Sequence, residues 1–131
     1  MNNKLKEDLK YGNQLENDKK ELLEKKFGSL KKTKNIFDPL DFEGDNCFIE
    51  LKSRRINKDR YNETLIGYNK IKKAKNCNKD CYFCFNFTDG LYYIKYEEGI
   101  GEKKQFLWGQ NEGKSKLKDY YYIPVNKLIK V

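Results

Sequence analysis

Asp41, Glu50 and Lys52 fall within one stretch, Ile36 to Arg55, that reads IFDPLDFEGDNCFIELKSRR. Two apolar runs there flank the turn-forming Glu43-Gly44-Asp45-Asn46, which is strong local hairpin chemistry. A period of two along the second run sends Ile49 and Leu51 to one face and Phe48, Glu50, Lys52 and Arg54 to the other. The turn brings the Asp41 carboxylate across from Glu50 or Lys52, so two acids and a lysine converge. Two carboxylates about 4 Å apart repel by about 4 kcal/mol at an effective dielectric near 20, and a dication between them removes that penalty. The chain contains no histidine. That excludes a Ser-His-Asp triad, a Cys-His pair, His-ligated zinc and a histidine base. Hydrolysis by this chain would have to run on carboxylates, lysine and a metal.

The plainer reading of ELKSRR is a half-buried edge strand whose solvated charges guard against unwanted pairing. What separates the two readings is D-x8-E-x-K laid across a hairpin whose second strand is otherwise strongly apolar. That pattern resembles the PD-(D/E)xK, or restriction-endonuclease-like, nucleases, and the resemblance runs from the first long helix through Tyr96. It implies an α/β fold with a central mixed β-sheet flanked by helices, and metal-dependent hydrolysis of phosphodiester bonds, with DNA as the substrate. It further implies Asp41 and Glu50 as metal-binding carboxylates, with the backbone carbonyl of Leu51 beside them, Mg²⁺ or Mn²⁺ as cofactor, and Lys52 as the catalytic lysine. One departure matters. The family's Pro-Asp pair is absent, because Pro39 follows Asp38 and is separated from Asp41 by Leu40. Asp38 is therefore a rival for the first acid, whereas Asp45 is too close to Glu50 across the turn to be favoured.

These residues need elements to position them. Tyr11 to Leu30 reads as a helix with Leu15, Leu22, Leu23, Phe27 and Leu30 on an apolar stripe, ending at Gly28-Ser29. Glu16 projects within that apolar arc, where a carboxylate needs a partner or a cation; the alternative is that it reaches water or pairs with Lys20. In the resembled family a glutamate of the first helix joins the metal site, and Glu16 is the matching position. After the hairpin, Arg54 to Asn62 is a polar loop, and Tyr61 to Lys75 begins with an extended or helical approach and is helical from Tyr68. Lys70, Lys72, Lys73 and Lys75 make that segment the most basic in the chain. Such a run is usually only a solvated helix face. The resemblance places this helix beside the active site and singles out Lys70; Lys70, Lys72 and Lys73, with Arg54 and Arg55, form the expected nucleic-acid contact set. Tyr82 to Thr88, Asp89-Gly90 and Leu91 to Tyr96 form the clearest hairpin, for which Asp-Gly predicts a type I′ turn. Gln105 to Trp108 and Tyr120 to Val125 are expected strands, the last at an edge or ending at Pro124.

With 131 residues the chain has room for one domain, residues 1–131, and its 10 Tyr, 8 Phe and 1 Trp supply a core that a disordered chain lacks. The net charge of +8 favours polyanionic partners, although a lysine-rich composition bias accounts for it too. No apolar run approaches the roughly 20 residues that span a bilayer, and the first ten residues lack a signal segment, so a soluble, intracellular protein is expected. Neither the choice between DNA and RNA nor the oligomeric state, a homodimer included, follows from the residues. Cys77, Cys81 and Cys84 have C-x3-C-x2-C spacing, yet a strand carrying Cys81 and Cys84 directs them to opposite faces, which disfavours zinc. The rival to a metal-dependent nuclease is a non-catalytic basic domain that binds nucleic acid or a protein on a nuclease-like fold.

Overall fold

Strands that are apolar on both faces have to sit in the middle of a sheet, and two segments of this chain meet that description. In the computed structural model, which describes residues 19–33, 40–108 and 116–131, those two segments pair with each other. Helix α1 (19–27) comes first, then strands β1 (Lys31–Lys32), β2 (Phe42–Glu43), β3 (Cys47–Ser53) and β4 (Glu63–Gly67), and helix α2 (Tyr68–Lys75). Strands β5 (Asp80–Phe87), β6 (Gly90–Lys95), β7 (Glu102–Trp108), β8 (Lys116–Pro124) and β9 (Ile129–Lys130) follow. Six strands make one sheet in the order β1-β2-β3-β5-β6-β9, in which β3 and β5 run parallel and every other pair is antiparallel. The chain is thus an α/β protein on a central mixed sheet. The edge-strand reading of β3 fails, because β2 and β5 cover both of its sides.

Alternation along β3 and β5 loads both faces. Ile49, Leu51 and Cys84 pack with Leu23 of α1, with Phe27 beside them. Phe48, Cys81, Phe83, Phe85 and Phe87 face the other way, onto Ile71 and Ala74 of α2. The second layer also holds a sheet that the sequence pattern did not announce, with β4, β8 and β7 in that order. Ile66 of β4 and Ile123 of β8 enter the same apolar cluster as Phe83, so the two sheets share one core. Tyr120 to Pro124 is therefore central to its sheet, flanked by β4 and β7, and it stops at Pro124 as that residue's missing N–H demands.

Local signals explain most boundaries. α1 ends where Gly28 takes φ +86° and its N–H returns to the Glu24 carbonyl at 2.9 Å. Leu22, expected on the apolar stripe, is exposed, because among the described residues of α1 it is Leu23 and Phe27 that pack on the sheet; Leu15 lies outside the described residues. The type I′ assignment is corrected as well. Phe87 pairs with Gly90, so Thr88 and Asp89 are the central turn residues, and no non-glycine residue among those described has positive φ. No described helix is long and apolar enough to cross a membrane.

The second sheet depends on a close approach at the start of β7. The Gly101 N–H donates to the Tyr121 hydroxyl at 3.1 Å, and a Cβ on Gly101 would lie 2.2 Å from the carbonyl oxygen of Tyr122. Backbone cannot yield as a flexible side chain does, so Gly101→Ala is expected to destabilise by about 1–3 kcal/mol in urea unfolding. Wild-type stability in that variant would mean that β7 need not approach β8 so closely.

Candidate functional site

Asp41 is placed by backbone pairing on both of its sides. Phe42 lies opposite Ile49 and Glu43 opposite Phe48, with the turn closed by the Gly44 N–H on the Cys47 carbonyl at 2.8 Å. Continuing that register by one residue sets Asp41 across from Glu50. Thr33 holds the incoming chain, donating its N–H to the Asp41 carbonyl at 2.9 Å and sharing its hydroxyl between the carbonyls of Leu40 and Asp41 at 2.5 and 3.0 Å. The Asp41 side chain is itself fixed, since Oδ2 accepts the Leu51 N–H at 3.1 Å. Thr33 is a positioning residue that the sequence did not reveal, because the basic link it belongs to carries no pattern that shows which backbone it meets.

Glu50 is only 4% exposed, on a strand whose next neighbour at that level is the fully buried Phe83. Burial, and after it the negative charge of Asp41, push its carboxyl up to about 7, against the opposing pull of Lys70 and Lys52. The Lys70 ammonium reaches across from α2 to 3.4 Å from Oε1. That is ion-pair distance but not a directed hydrogen bond, and Oε1 has no hydrogen-bond partner. A buried carboxylate oxygen left in this state costs free energy. Hard divalent cations take such oxygens as ligands and remove the repulsion between paired carboxylates. The donor set therefore fits a small oxygen-ligated cation, with Asp41 and Glu50 as the chain's side-chain share; among the described residues no group of three or more His, Cys, Asp and Glu converges.

The other expected residues divide. Lys52 is exposed on the Glu50 face and near enough to act on its charge, so Asp41, Glu50, Lys52 and Lys70 come together. Arg54 turns inward, where its Nη2 donates to the Leu65 carbonyl and ties the end of β3 to β4. Arg55 is exposed and lines a shallow polar cavity of about 510 Å³ with Asn57, Arg60 and Asp89, away from α2. Lys70, Lys72 and Lys73 share α2, and among them Lys70 is the one ion-paired to Glu50. Glu16 and Asp38 lie outside the described residues. Cys81 and Cys84 belong to the apolar clusters on opposite faces of the central sheet, and burial raises both thiols well above their ordinary range.

No family model and no curated protein matches the chain. Among solved structures, Hjc of Archaeoglobus fulgidus, a Holliday junction resolvase from an archaeal hyperthermophile, is similar over 73% of this chain and 75% of its own, at 10% identity and a TM-score of 0.44. At that score the overlap is partial, and the reading of the site rests on the geometry of its own residues.

The pH dependence of stability follows from Glu50. A carboxyl raised from 4.5 to about 7 is neutral in both folded and unfolded chains below pH 4.5, so it costs nothing there. Between those values the unfolded chain ionises first, and stability falls by about 3 kcal/mol as pH rises through the window. In chelator, Glu50→Gln is expected to gain stability relative to wild type on going from pH 4 to pH 8, read by urea unfolding at both pH values. A difference between the two proteins that does not change with pH would contradict the burial of an ionisable Glu50.

Proposed function

We propose that the chain is a metal-dependent nuclease that hydrolyses phosphodiester bonds, with residues 1–131 as a single PD-(D/E)xK, restriction-endonuclease-like domain. The observation that carries this reading is the buried Glu50 carboxylate, set across from Asp41 with one oxygen unsatisfied. The D-x8-E-x-K pattern and its lysine on the same face support it.

Asp41 and Glu50 would hold Mg²⁺ or Mn²⁺, with the Leu51 carbonyl and Glu16 as further oxygen donors. When bound, the ion supplies Lewis acidity toward a phosphate oxygen and lowers the pKa of water. The rest of the work belongs to the chain. The Leu51 N–H holds one Asp41 oxygen in place, and the Asp41 charge is close enough to act on Glu50. Phe48 and Phe83 keep water from the Glu50 side of the strand, where electrostatic interactions are correspondingly stronger. Lys52, the exposed member, orients or deprotonates the attacking water and stabilises charge that develops on phosphate oxygens. Lys70, Lys72, Lys73, Arg54 and Arg55 are the proposed nucleic-acid contacts, with Arg54 limited to the donors that its bond to Leu65 leaves over. DNA is the proposed substrate through the resemblance alone.

Lys52→Ala is expected to lower cleavage of supercoiled plasmid by about 10²–10⁴-fold, the usual worth of a positioned proton-transfer group. It should retain the rise in melting temperature that Mg²⁺ gives the wild type. Asp41→Asn should lose both properties and Asp38→Asn neither; the reverse pattern would move the first acid to Asp38. Full cleavage by the Lys52 variant would remove that residue from the chemistry. Tight duplex binding by the wild type without cleavage of DNA or RNA in Mg²⁺ or Mn²⁺ would make the chain a binding domain instead.

A further inference from the structure

The five expected contacts do not form one surface, because α2 splits its lysines between two flanks. Ile71 and Ala74 are the buried seam of this helix. At about 100° per residue, Tyr68, Lys72 and Lys75 stack on one side of that seam, spaced i, i+4 and i+7, while Lys70 and Lys73 lie on the other. On the first flank the Lys72 and Lys75 ammoniums stand 5.6 and 5.7 Å from the Tyr68 ring centre. A third cation arrives from the second sheet, with Lys103 of β7 at 4.5 Å from the same ring. All three lysines are exposed. The nearby acids only partly offset them. Asp119 lies 3.6 Å from Lys103 in an exposed, weak pair, and no acidic side chain among the described residues is in ion-pair contact with Lys72 or Lys75.

From this arrangement we infer that the Tyr68 ring with Lys72, Lys75 and Lys103 is a docking surface for the phosphodiester backbone of a nucleic-acid duplex, which then crosses the exposed back of α2 toward Lys70 and the carboxylates. A small anion is a poor match, since three exposed ammoniums spread around one ring offer more charge than it can meet at once. A polyanionic chain matches, because its charges repeat. A helix is about 10–12 Å across, so a backbone laid over α2 meets Lys73 on the way from one flank to the other. Phosphates meet three exposed cations whose charge acids offset only in part, and counterion release supplies the affinity. Tyr68 fixes the lysines through cation–π contact rather than reading bases, so the surface is indifferent to sequence. The direction of the path rests on the reading of Asp41 and Glu50 as the cleavage site; the surface itself does not.

Binding of a fluorescent DNA duplex, measured in chelator over a series of salt concentrations, tests the surface apart from cleavage. The triple variant Lys72→Ala, Lys75→Ala, Lys103→Ala is expected to bind more weakly, with a log–log salt slope smaller by about 0.9 for each lost contact. The corresponding triple arginine variant should keep the wild-type slope, and both variants should keep the Mg²⁺-induced rise in melting temperature. An unchanged slope in the alanine variant, or no duplex binding by wild type, would overturn the inference. So would vesicles of anionic phospholipid that bind the wild type while the duplex does not. Loss of the Mg²⁺ response in wild type, with the slope change intact, would instead count against the carboxylate site alone.

Discussion

Keeping the Glu50 carboxylate out of water is the constraint on which the other features of the site depend. A buried acid with an unsatisfied oxygen is costly, and this one lies on the same face of the sheet as the buried Phe48 and Phe83. Its strand is fixed on one side by seven parallel partners from Cys47 to Ser53 and on the other by the short hairpin to β2. Glu50 therefore cannot escape by slipping register, since a shift of one residue would drive Ile49 and Leu51 out of the opposite core. Lys70 softens the cost without removing it, as a carboxyl still raised to about 7 attests.

The parallel β3–β5 pair also explains where the helices go. Parallel neighbours need a crossover, and here residues 54–79 supply it with β4 and α2. The crossover places Lys70 over the Glu50 face, while β4 is handed to a second sheet with β8 and β7. Arg54 then ties the end of β3 to the Leu65 carbonyl, so that the strand bearing the acids and the strand leading into α2 hold a fixed relation. The site and its neighbouring helix are thus set by one connection.

What could be read from residues alone was what local pattern determines. The hairpin across Gly44, the alternation that groups Phe48, Glu50 and Lys52, the opposed faces of Cys81 and Cys84, and the helix from Tyr68 each follow from a period or a turn. The three-stranded sheet does not, because β4 is five residues long and its partner β8 begins some fifty residues further on. The same holds for Thr33, whose bonds to Leu40 and Asp41 depend on a pairing between β1 and β2 that no short motif encodes. The type I′ turn failed for a finer reason. Asp-Gly marks the turn, but Gly90 takes φ +155° as the first residue of β6 and not as a turn centre, and a side chain there would press on the Tyr92 ring at 3.1 Å.

Charge along α2 shows how a basic run acquires distinct roles once folded. In sequence, Lys70, Lys72, Lys73 and Lys75 form one block, and net charge gives no reason to distinguish them. Helical geometry assigns them by angle. The lysine that falls beside the buried seam on the β3 side meets an acid and becomes a half-buried counter-ion, with its side chain 26% exposed. Lys72 and Lys75 fall beyond the seam and meet Tyr68 and the Lys103 of another sheet, with no ion-pair partner among the described residues. Acids offset their charge only in part, through Asp119 beside Lys103 and the field of Glu98 at Lys75, whereas Lys70 is in ion-pair contact with Glu50. A surface whose lysines are only partly offset, beside a site where lysines already face acids, is suited to attract a polyanion from solution, and the first contact then falls on the Tyr68 side of α2.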